Sequence, residues 1–149
     1  MAIWRPHERI TVKVIGLAWR RNHLLAAEVE TDMGRIKGVR PLGGSVEFGE
    51  TREQALEREF REELGCGVTI TGPWLALENI FHHEGSIGHE YIFAANIRLH
   101  DTTLYDRDEI LFAECNGAKC TAQWFLPQNL PKDVALYPNG LAPLLSPSA

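Results

Sequence analysis

The stretch GGSVEFGETREQALEREFREELGCGV, residues 43–68, decides how this chain folds. Thr51 followed by Gln54 is the pattern of a capping box, in which each side chain bonds the other residue's backbone at a helix N-terminus. Gly65 is typical of the left-handed residue that ends a helix. The stretch therefore predicts an α-helix over about 52–64, entered from a glycine pair.

This predicted helix and its entry are unusually acidic. Between residues 47 and 63 there are seven glutamates and three arginines. At 100° per residue, Leu56, Phe60 and Leu64 form an apolar seam. Next to the seam, three glutamates share an arc of about 100°: Glu59, Glu62 and Glu63.

Like charges this close repel one another, so the cluster favours a bound cation. A hard divalent ion such as Mg²⁺ takes carboxylate and carbonyl oxygens as ligands. Gly43 and Gly44 lack a Cβ atom, so their backbone can approach such an ion closely, and a carbonyl there is a further potential ligand. The alternative is a solvated acidic helix face, which the helix by itself leaves open.

The bulk composition limits the classes of function. The 149 residues suit one domain, residues 1–149, and the net charge of −5 argues against nucleic acid as a partner. An odd cysteine count predicts reduced thiols, and the N-terminus lacks the apolar segment of a signal peptide. No apolar run approaches the roughly 20 residues needed to span a bilayer, so we expect a soluble, cytoplasmic protein that does not bind membranes.

The rest of the chain alternates between strand patterns and polar turns. Strands are predicted over 10–19, 24–29, 68–70, 74–81, 90–99 and 121–126. Loops are predicted over 31–38 and 82–89, and residues 104–120 are expected to be a loop with some strand. After Pro127, repeated prolines leave room only for short helical turns. One helix among many strands indicates a mixed α/β fold.

The spacing within the acidic stretch is similar to the Nudix box, G-x5-E-x7-R-E-U-x-E-E-x-G-U, where U is apolar. Gly44, Glu50 and the run 58–66 match every fixed position, so the box covers residues 44–66. The resemblance implies a Nudix-type α/β/α sandwich around a mixed β-sheet. It also implies a hydrolase that uses Mg²⁺ or Mn²⁺ to cleave a nucleoside diphosphate linked to another group.

The same resemblance assigns roles to residues of the box. It implies metal ligation by Glu59, Glu62 and Glu63, together with the carbonyl of Gly43. It also implies that Glu50 and Arg58 support the geometry of loop and helix. One departure concerns the substrate loop, because many relatives have Pro-Gly-Gly before the box, whereas here Leu42 precedes Gly43.

The reaction needs a base that accepts a proton from the attacking water. Glu62 is the candidate within the box, and Glu109 and Glu114 are the candidates outside it. For the substrate, the candidates are Arg35 and Arg40 for phosphate, Gly44 at the start of the box, and His89 for phosphate or base. We expect a pocket where the box helix, residues 82–89 and the segment before QWFL meet.

Two other classes of function stay open. One is a sensor or scaffold domain that binds a nucleotide without hydrolysing it. The complete set of predicted metal ligands argues against it, because a domain that only binds need not retain every ligand. A structural calcium-binding domain ranks last, because the sequence has no EF-hand loop. The identity of the small-molecule nucleotide, the number of metal ions and the formation of a homodimer also stay open.

Overall fold

The structure, a computed structural model, describes residues 3–114 and 117–147. The described part of the chain contains one α-helix, α1, Arg52–Leu64. Its strands are β1 Ile10–Arg20, β2 His23–Glu30, β3 Ile36–Pro41, β4 Gly43–Ser45, β5 Val68–Ile70, β6 Leu75–His83, β7 Ser86–Leu99, β8 Glu109–Ala113, β9 Lys119–Phe125 and β10 Ala135–Leu136. Short 3-10 helices cover Thr102–Asp106 and Ala142–Leu144. Strands of both directions surround one helix, as the predicted α/β class requires.

The long strand β1 lies at the centre of the fold. It runs parallel to β7 from Ile10 opposite His89 to Ala18 opposite Ile97. On its other side β1 pairs with the short strand β4, and β7 pairs with both β6 and β5. The last residues of β1 join β2 instead, which begins a second group of strands. β1 therefore links the two halves of a mixed sheet.

The second group of strands is built around β2. This strand pairs antiparallel with β3 on one side and with β9 on the other. β8 extends the sheet beyond β9, and the two-residue strand β10 extends it beyond β3. The helix α1 packs against β8, β4 and β1.

The helix forms as the local sequence predicts. Thr51 accepts a hydrogen bond from the backbone of Gln54, the Gln54 side chain accepts one from the backbone of Thr51, and Gly65 ends the helix with a φ of 70°. Leu56 and Phe60 are buried in a core shared with β1, β8 and β9. Burying a large apolar side chain contributes about 1.5–3 kcal/mol, so this seam orients the helix and its acidic face.

The opposite face of the sheet is covered by the C-terminal segment. Leu141, fully buried, packs with Leu17, Trp19 and Ile92 from the central strands. Two separate clusters of buried side chains thus lie on the two faces of β1. No helix in the described ranges is both long enough and apolar enough to cross a membrane.

The predicted loop over 82–89 is wrong. β6 and β7 pair through this region, with His82 opposite Ile87 and His83 opposite Ser86. Only Glu84 and Gly85 form the turn, and both have positive φ angles, 50° and 83°. This pair of conformations is typical of a two-residue hairpin loop, in which glycine is favoured. Cross-strand pairing therefore outweighs the polar, glycine-containing composition of the segment.

Other differences from the predicted elements are smaller. β3 begins at Ile36, inside the predicted loop over 31–38, and the glycine pair joins a strand by pairing with β1. Residues 104–120 contain the strand expected there, which is β8. The C-terminal region has the expected helical turn at Ala142–Leu144, and also the strand β10, which was not predicted.

Candidate active site

Arg58 connects the helix to the loop that precedes it. Its Nε and Nη2 atoms donate to the two carboxylate oxygens of Glu50 at 2.7 and 3.0 Å, and Nη2 also donates to the carbonyl of Ser45 at 2.9 Å. The paired contact with Arg58 holds the pKa of the Glu50 carboxyl below its usual value. This two-point geometry is specific to a guanidinium group, so Arg58 sets the position of residues 45–50 against α1.

The same guanidinium group holds the most buried glutamate of the helix. Arg58 Nη1 donates to Glu59 at 2.9 Å, and Glu59 is only 4% exposed. The Glu59 carboxylate lies directly against Gly44, where a Cβ atom would overlap with it. A Cβ atom on Gly43 would overlap with the Val14 carbonyl. Both glycines are thus required by close approach, one to the carboxylate and one to β1.

Glu63 lies one turn after Glu59 and is largely buried. Burial, followed by the charge of Glu59 and a hydrogen bond to it, raises the pKa of Glu63 from 4.5 to about 8. The charge of Glu114 acts in the same direction, and Arg40 acts in the opposite direction. A cation placed between such a carboxyl group and its neighbour would stabilise the ionised form of both.

Glu62 is arranged differently from its neighbours. Its side chain is 50% exposed, and one oxygen lies 3.4 Å from Arg58 Nη1. Glu59 therefore lies between the other two glutamates predicted as metal ligands, because it shares Arg58 Nη1 with Glu62 and a hydrogen bond with Glu63. Their donor set, carboxylate oxygens beside a backbone close enough to add a carbonyl, fits a hard divalent cation.

The two candidate bases outside the box lie in different surroundings. Glu114 is in the connection between β8 and β9. Burial is the main cause of the raised pKa of both Glu63 and Cys120, and the charge of Glu114 adds to it. Glu109 lies at the start of β8, where its carboxylate accepts a hydrogen bond from Gln123 at 3.2 Å. Only Glu114 of the two thus belongs to the electrostatic neighbourhood of the acidic helix.

A cavity of about 330 Å³ opens beside this acidic region. Its walls come from β1, β3, β6, β7 and the segment 135–139, with the side chains Lys13, Lys37, Asn79, Phe81, Glu90 and Tyr137 among them. Gly44 and Arg40 line it as well. Gly44 also contacts Glu59, and the charge of Arg40 lowers the pKa of Glu63. These two residues therefore connect the cavity to the acidic face of α1.

The cavity differs from the pocket predicted from the sequence. His82 and His83 line it, as part of the predicted segment 82–89, but neither the box helix nor residues 104–120 supply lining residues. The sheet separates the box helix from the cavity, and Gly44, which contacts Glu59 of the helix and lines the cavity, connects the two. The cavity therefore receives its polar groups mainly from strands.

Two of the predicted substrate residues lie away from this cavity. Arg35 is exposed in the turn between β2 and β3, where its backbone bonds Thr31. His89 lies on the opposite face of β7, where its Nε2 atom is 2.8 Å from Glu78. His89 lines a separate surface depression of about 590 Å³ beside residues 6–10, which contains no residue of the box. Arg40 and Gly44 are the predicted substrate residues that line the cavity near α1.

A second cluster of potential metal ligands lies at the far end of β6. In the ranges 3–114 and 117–147, the one group of three with ligand atoms within 4.8 Å of one another is Asp32, His83 and Glu84. Arg5 already binds Asp32 through two nitrogens, and Lys37 Nζ lies 2.7 Å from His83 Nδ1. These cations neutralise the cluster, so it is better described as an ion-pair network that anchors residues 3–5.

The sequence analysis missed Asn79 and Glu90. Both are polar residues inside predicted strands, and both line the cavity. Asn79 occurs between Leu77 and Phe81 on the inward side of an alternating strand. A polar residue at an inward position is the pattern that would have identified it.

A family model described as the NUDIX domain matches residues 8–143. The chain belongs to the Nudix family. The family membership predicted from the box is thereby confirmed. Nudix proteins generally use a divalent metal. The model match includes the box helix, both halves of the sheet and the segment 135–139 of the cavity.

Two relatives share part of this chain. The nucleoside triphosphatase NudI of Klebsiella pneumoniae is 41% identical over 63 residues, which are 41% of this chain and 45% of the relative. The nucleoside triphosphatase NudI of an Enterobacter species is 44% identical over 59 residues, covering 38% and 42% of the two chains. The chain thus matches less than half the length of either relative.

Solved structures show the same fold at low identity. An ADP-ribose pyrophosphatase from Streptococcus suis superimposes with a TM-score of 0.53, at 14% identity over 85% of this chain and 79% of that chain. A Nudix hydrolase from Nitrosomonas europaea superimposes with a TM-score of 0.51, at 22% identity over 78% and 72%. These similarities confirm the predicted Nudix sandwich.

Proposed function

We propose that the protein is a pyrophosphohydrolase that depends on a divalent metal and cleaves a nucleoside diphosphate linked to another group. The observation that carries this proposal is the position of Gly44, which lines the cavity and lies against the carboxylate of Glu59. A nucleotide with its base in the cavity would direct its phosphates toward the acidic face of α1. The two relatives, both nucleoside triphosphatases by name, make nucleoside triphosphates the first substrates to test.

The metal, Mg²⁺ or Mn²⁺, would be held by Glu59, Glu63 and Glu62, with the carbonyl of Gly43 as a further ligand. When bound, such an ion neutralises phosphate charge and lowers the pKa of water. Glu59 and Glu63 support this assignment because they are adjacent, with Glu59 buried and Glu63 half-buried, and because the ionisation of Glu63 is opposed without a cation. The local acidity of residues 47–63, with seven glutamates and three arginines, also favours a cation between this region and an anionic substrate.

The chain's own residues supply the remaining functions. Arg40, at the mouth of the cavity, would bind the phosphate chain. Arg58 is a positioning residue, because it holds Glu59 and the loop through Glu50. We assign the proton acceptor to Glu114, whose charge acts on Glu63 across the site.

The test is a panel of nucleoside triphosphates, ADP-ribose, other nucleotide sugars and dinucleoside polyphosphates, each with Mg²⁺, with Mn²⁺ and with EDTA. We expect at least one compound to be hydrolysed with metal and none with EDTA. Nucleotide binding without turnover of any compound would instead identify a sensor or scaffold.

A matched pair of variants tests the assignment of the base. Glu114→Gln should reduce kcat by about 10²–10⁴-fold, the range typical of a lost general base. Glu109→Gln, on the same strand–turn segment, should leave kcat close to that of the parent, because glutamine keeps the side-chain oxygen that accepts from Gln123. Equal losses in the two variants would contradict the assignment.

A further inference from the structure

Asn79 carries a side-chain amide that the protein itself does not use. The residue is 7% exposed, and no residue in the described ranges hydrogen-bonds to its amide. Its polar atoms are not sealed off, because Asn79 lines the cavity beside Phe81 and Ile92. A buried amide without a protein partner is unfavourable unless a ligand or water binds it. The amide therefore points to a ligand that occupies this wall of the cavity.

A carboxylate accompanies the amide on the next strand. Glu90 on β7 is the direct cross-strand partner of Asn79 on β6, and both line the same wall. The side chains of directly opposite residues in an antiparallel pair begin about 4.5–5.5 Å apart. The wall thus offers donor and acceptor atoms from the amide next to two acceptor oxygens from the carboxylate.

We propose that Asn79 and Glu90 bind the 2-amino-6-oxo edge of a guanine base. The N1–H and N2–H groups of guanine donate in parallel to one carboxylate, Glu90, and the neighbouring O6 accepts from the Asn79 amide. Adenine fits this pair poorly, because its N1 is an acceptor and would face the acceptor oxygens of Glu90. The inference rests on the proposed function for the direction of the phosphates, but not for the contacts to the base.

Aromatic rings beside the pair provide apolar contact for a flat ring. Phe81 lies across Gly88, where a Cβ atom would overlap with its ring, so this glycine leaves the space that the ring occupies. Trp4 is nearly parallel to Phe81, with an angle of 10° between the rings and 6.3 Å between their centroids. Tyr137 lines the cavity as well, from the C-terminal segment. A purine in contact with these rings would bring its edge to Asn79 and Glu90.

Binding of nucleoside monophosphates tests the inference without requiring turnover. Calorimetric titration of the full-length protein with GMP, IMP and AMP should give affinities in the order GMP, IMP, AMP. IMP lacks the 2-amino group and loses one bond to Glu90, whereas AMP loses both bonds to Glu90. A hydrogen bond to a charged group is worth about 10- to 100-fold in affinity, so GMP should bind at least about tenfold more tightly than AMP.

Variants separate the two contacts. Asn79→Ala should weaken the binding of GMP and IMP equally, whereas Asn79→Asp should shift the preference toward AMP, whose amino group donates to a carboxylate. Glu90→Gln should abolish the preference of GMP over IMP. The control is Glu78→Gln on the outer face of β6, where the carboxylate pairs with His89 and is remote from the cavity wall.

The melting temperature of Asn79→Ala distinguishes a ligand-binding residue from a structural one. Because the amide has no protein partner, the variant should melt within about 2 °C of the parent, whereas loss of a structural hydrogen bond would lower the melting temperature further. Equal binding of GMP and AMP by the parent, or no binding of either, would overturn the inference. Turnover of nucleotides without a guanine preference would overturn it while leaving the proposed function intact. A guanine preference without turnover of any nucleotide would support the inference and overturn the proposed function.

Discussion

Glu63 offers a sharp test of the acidic face of α1, because its carboxyl group should weaken the folded protein when no metal is present. Its pKa is raised to about 8 by burial, by the charge and hydrogen bond of Glu59 and by the charge of Glu114. The folded state therefore holds this proton more tightly than the unfolded state does. The stability penalty is absent below pH 4.5, grows as the pH rises, and is complete above pH 8.

The size of the penalty follows from the pKa. Each pH unit above 4.5 costs about 1.4 kcal/mol until the folded pKa is reached, which sets an upper limit of about 3.5 kcal/mol at pH 7. Rotation of the side chain away from Glu59 and access of water reduce it. We expect Glu63→Gln to raise the free energy of unfolding by about 1–2 kcal/mol at pH 8 and by close to zero at pH 4.5.

The assay is thermal melting from pH 4.5 to 8 in EDTA and in Mg²⁺. For a domain of this size, a change of 1–2 kcal/mol corresponds to a shift of about 2–8 °C. Added Mg²⁺ should stabilise the parent increasingly toward pH 8, because a metal ligand must be deprotonated, and should stabilise Glu63→Gln much less. Turnover by the variant should fall by orders of magnitude.

Glu57→Gln is the matched control on the exposed side of the same helix. It removes an equal charge and loses an ion pair with Arg61, which costs at most about 0.5 kcal/mol at any of these pH values. If Glu63→Gln destabilises the metal-free protein at pH 8 while turnover per folded molecule stays intact, Glu63 is a structural partner. The assignment of α1 as a metal-binding helix would then fail.

Two further substitutions test how the helix is held. Gly44→Ala should lower kcat by at least about tenfold and the free energy of unfolding by about 1–3 kcal/mol, because its Cβ would displace the Glu59 carboxylate. Gly72→Ala is the control in the same melting and turnover assays, because a Cβ atom there would make only ordinary contacts at 3.7 Å. Arg58→Lys keeps the charge but loses the two-point contact with Glu50, so chemical denaturation should show a loss of about 1–3 kcal/mol. A Lys variant as stable and active as the parent would show that charge alone suffices there.

The helix and the family could be predicted from the sequence because the interactions that specify them are local. Thr51, Gln54 and Gly65 act within four residues of the helix ends, and the structure has the helix at the predicted residues 52–64. Alternation along β1 and β2 likewise places those strands within one residue of their predicted limits. The spacing of the box also lies within one loop and one helix, so it needs no long-range contact to be recognised.

The same kind of reasoning failed where pairing between distant segments decides the structure. The polar segment 82–89 looks like a loop in isolation, yet hydrogen bonds between β6 and β7 extend both strands into it. β3 overlaps a predicted loop for the same reason, because β2 and β10 both pair with it. Composition reports local preference, and the sheet overrides it by satisfying backbone groups across strands.

The chemistry of the site depends on tertiary structure to a similar degree. The sequence identified Glu59 and Glu63 from their spacing on one helix. The raised pKa of Glu63 comes mainly from burial, with further contributions from Glu59 and from Glu114, which lies 51 residues further along the chain. Asn79 and Glu90 become neighbours only through the register of β6 and β7. Helical spacing is thus sufficient to predict a carboxylate cluster. The burial that sets the pKa values of the cluster, and the cross-strand contacts that form the adjoining cavity, exist only in the folded chain.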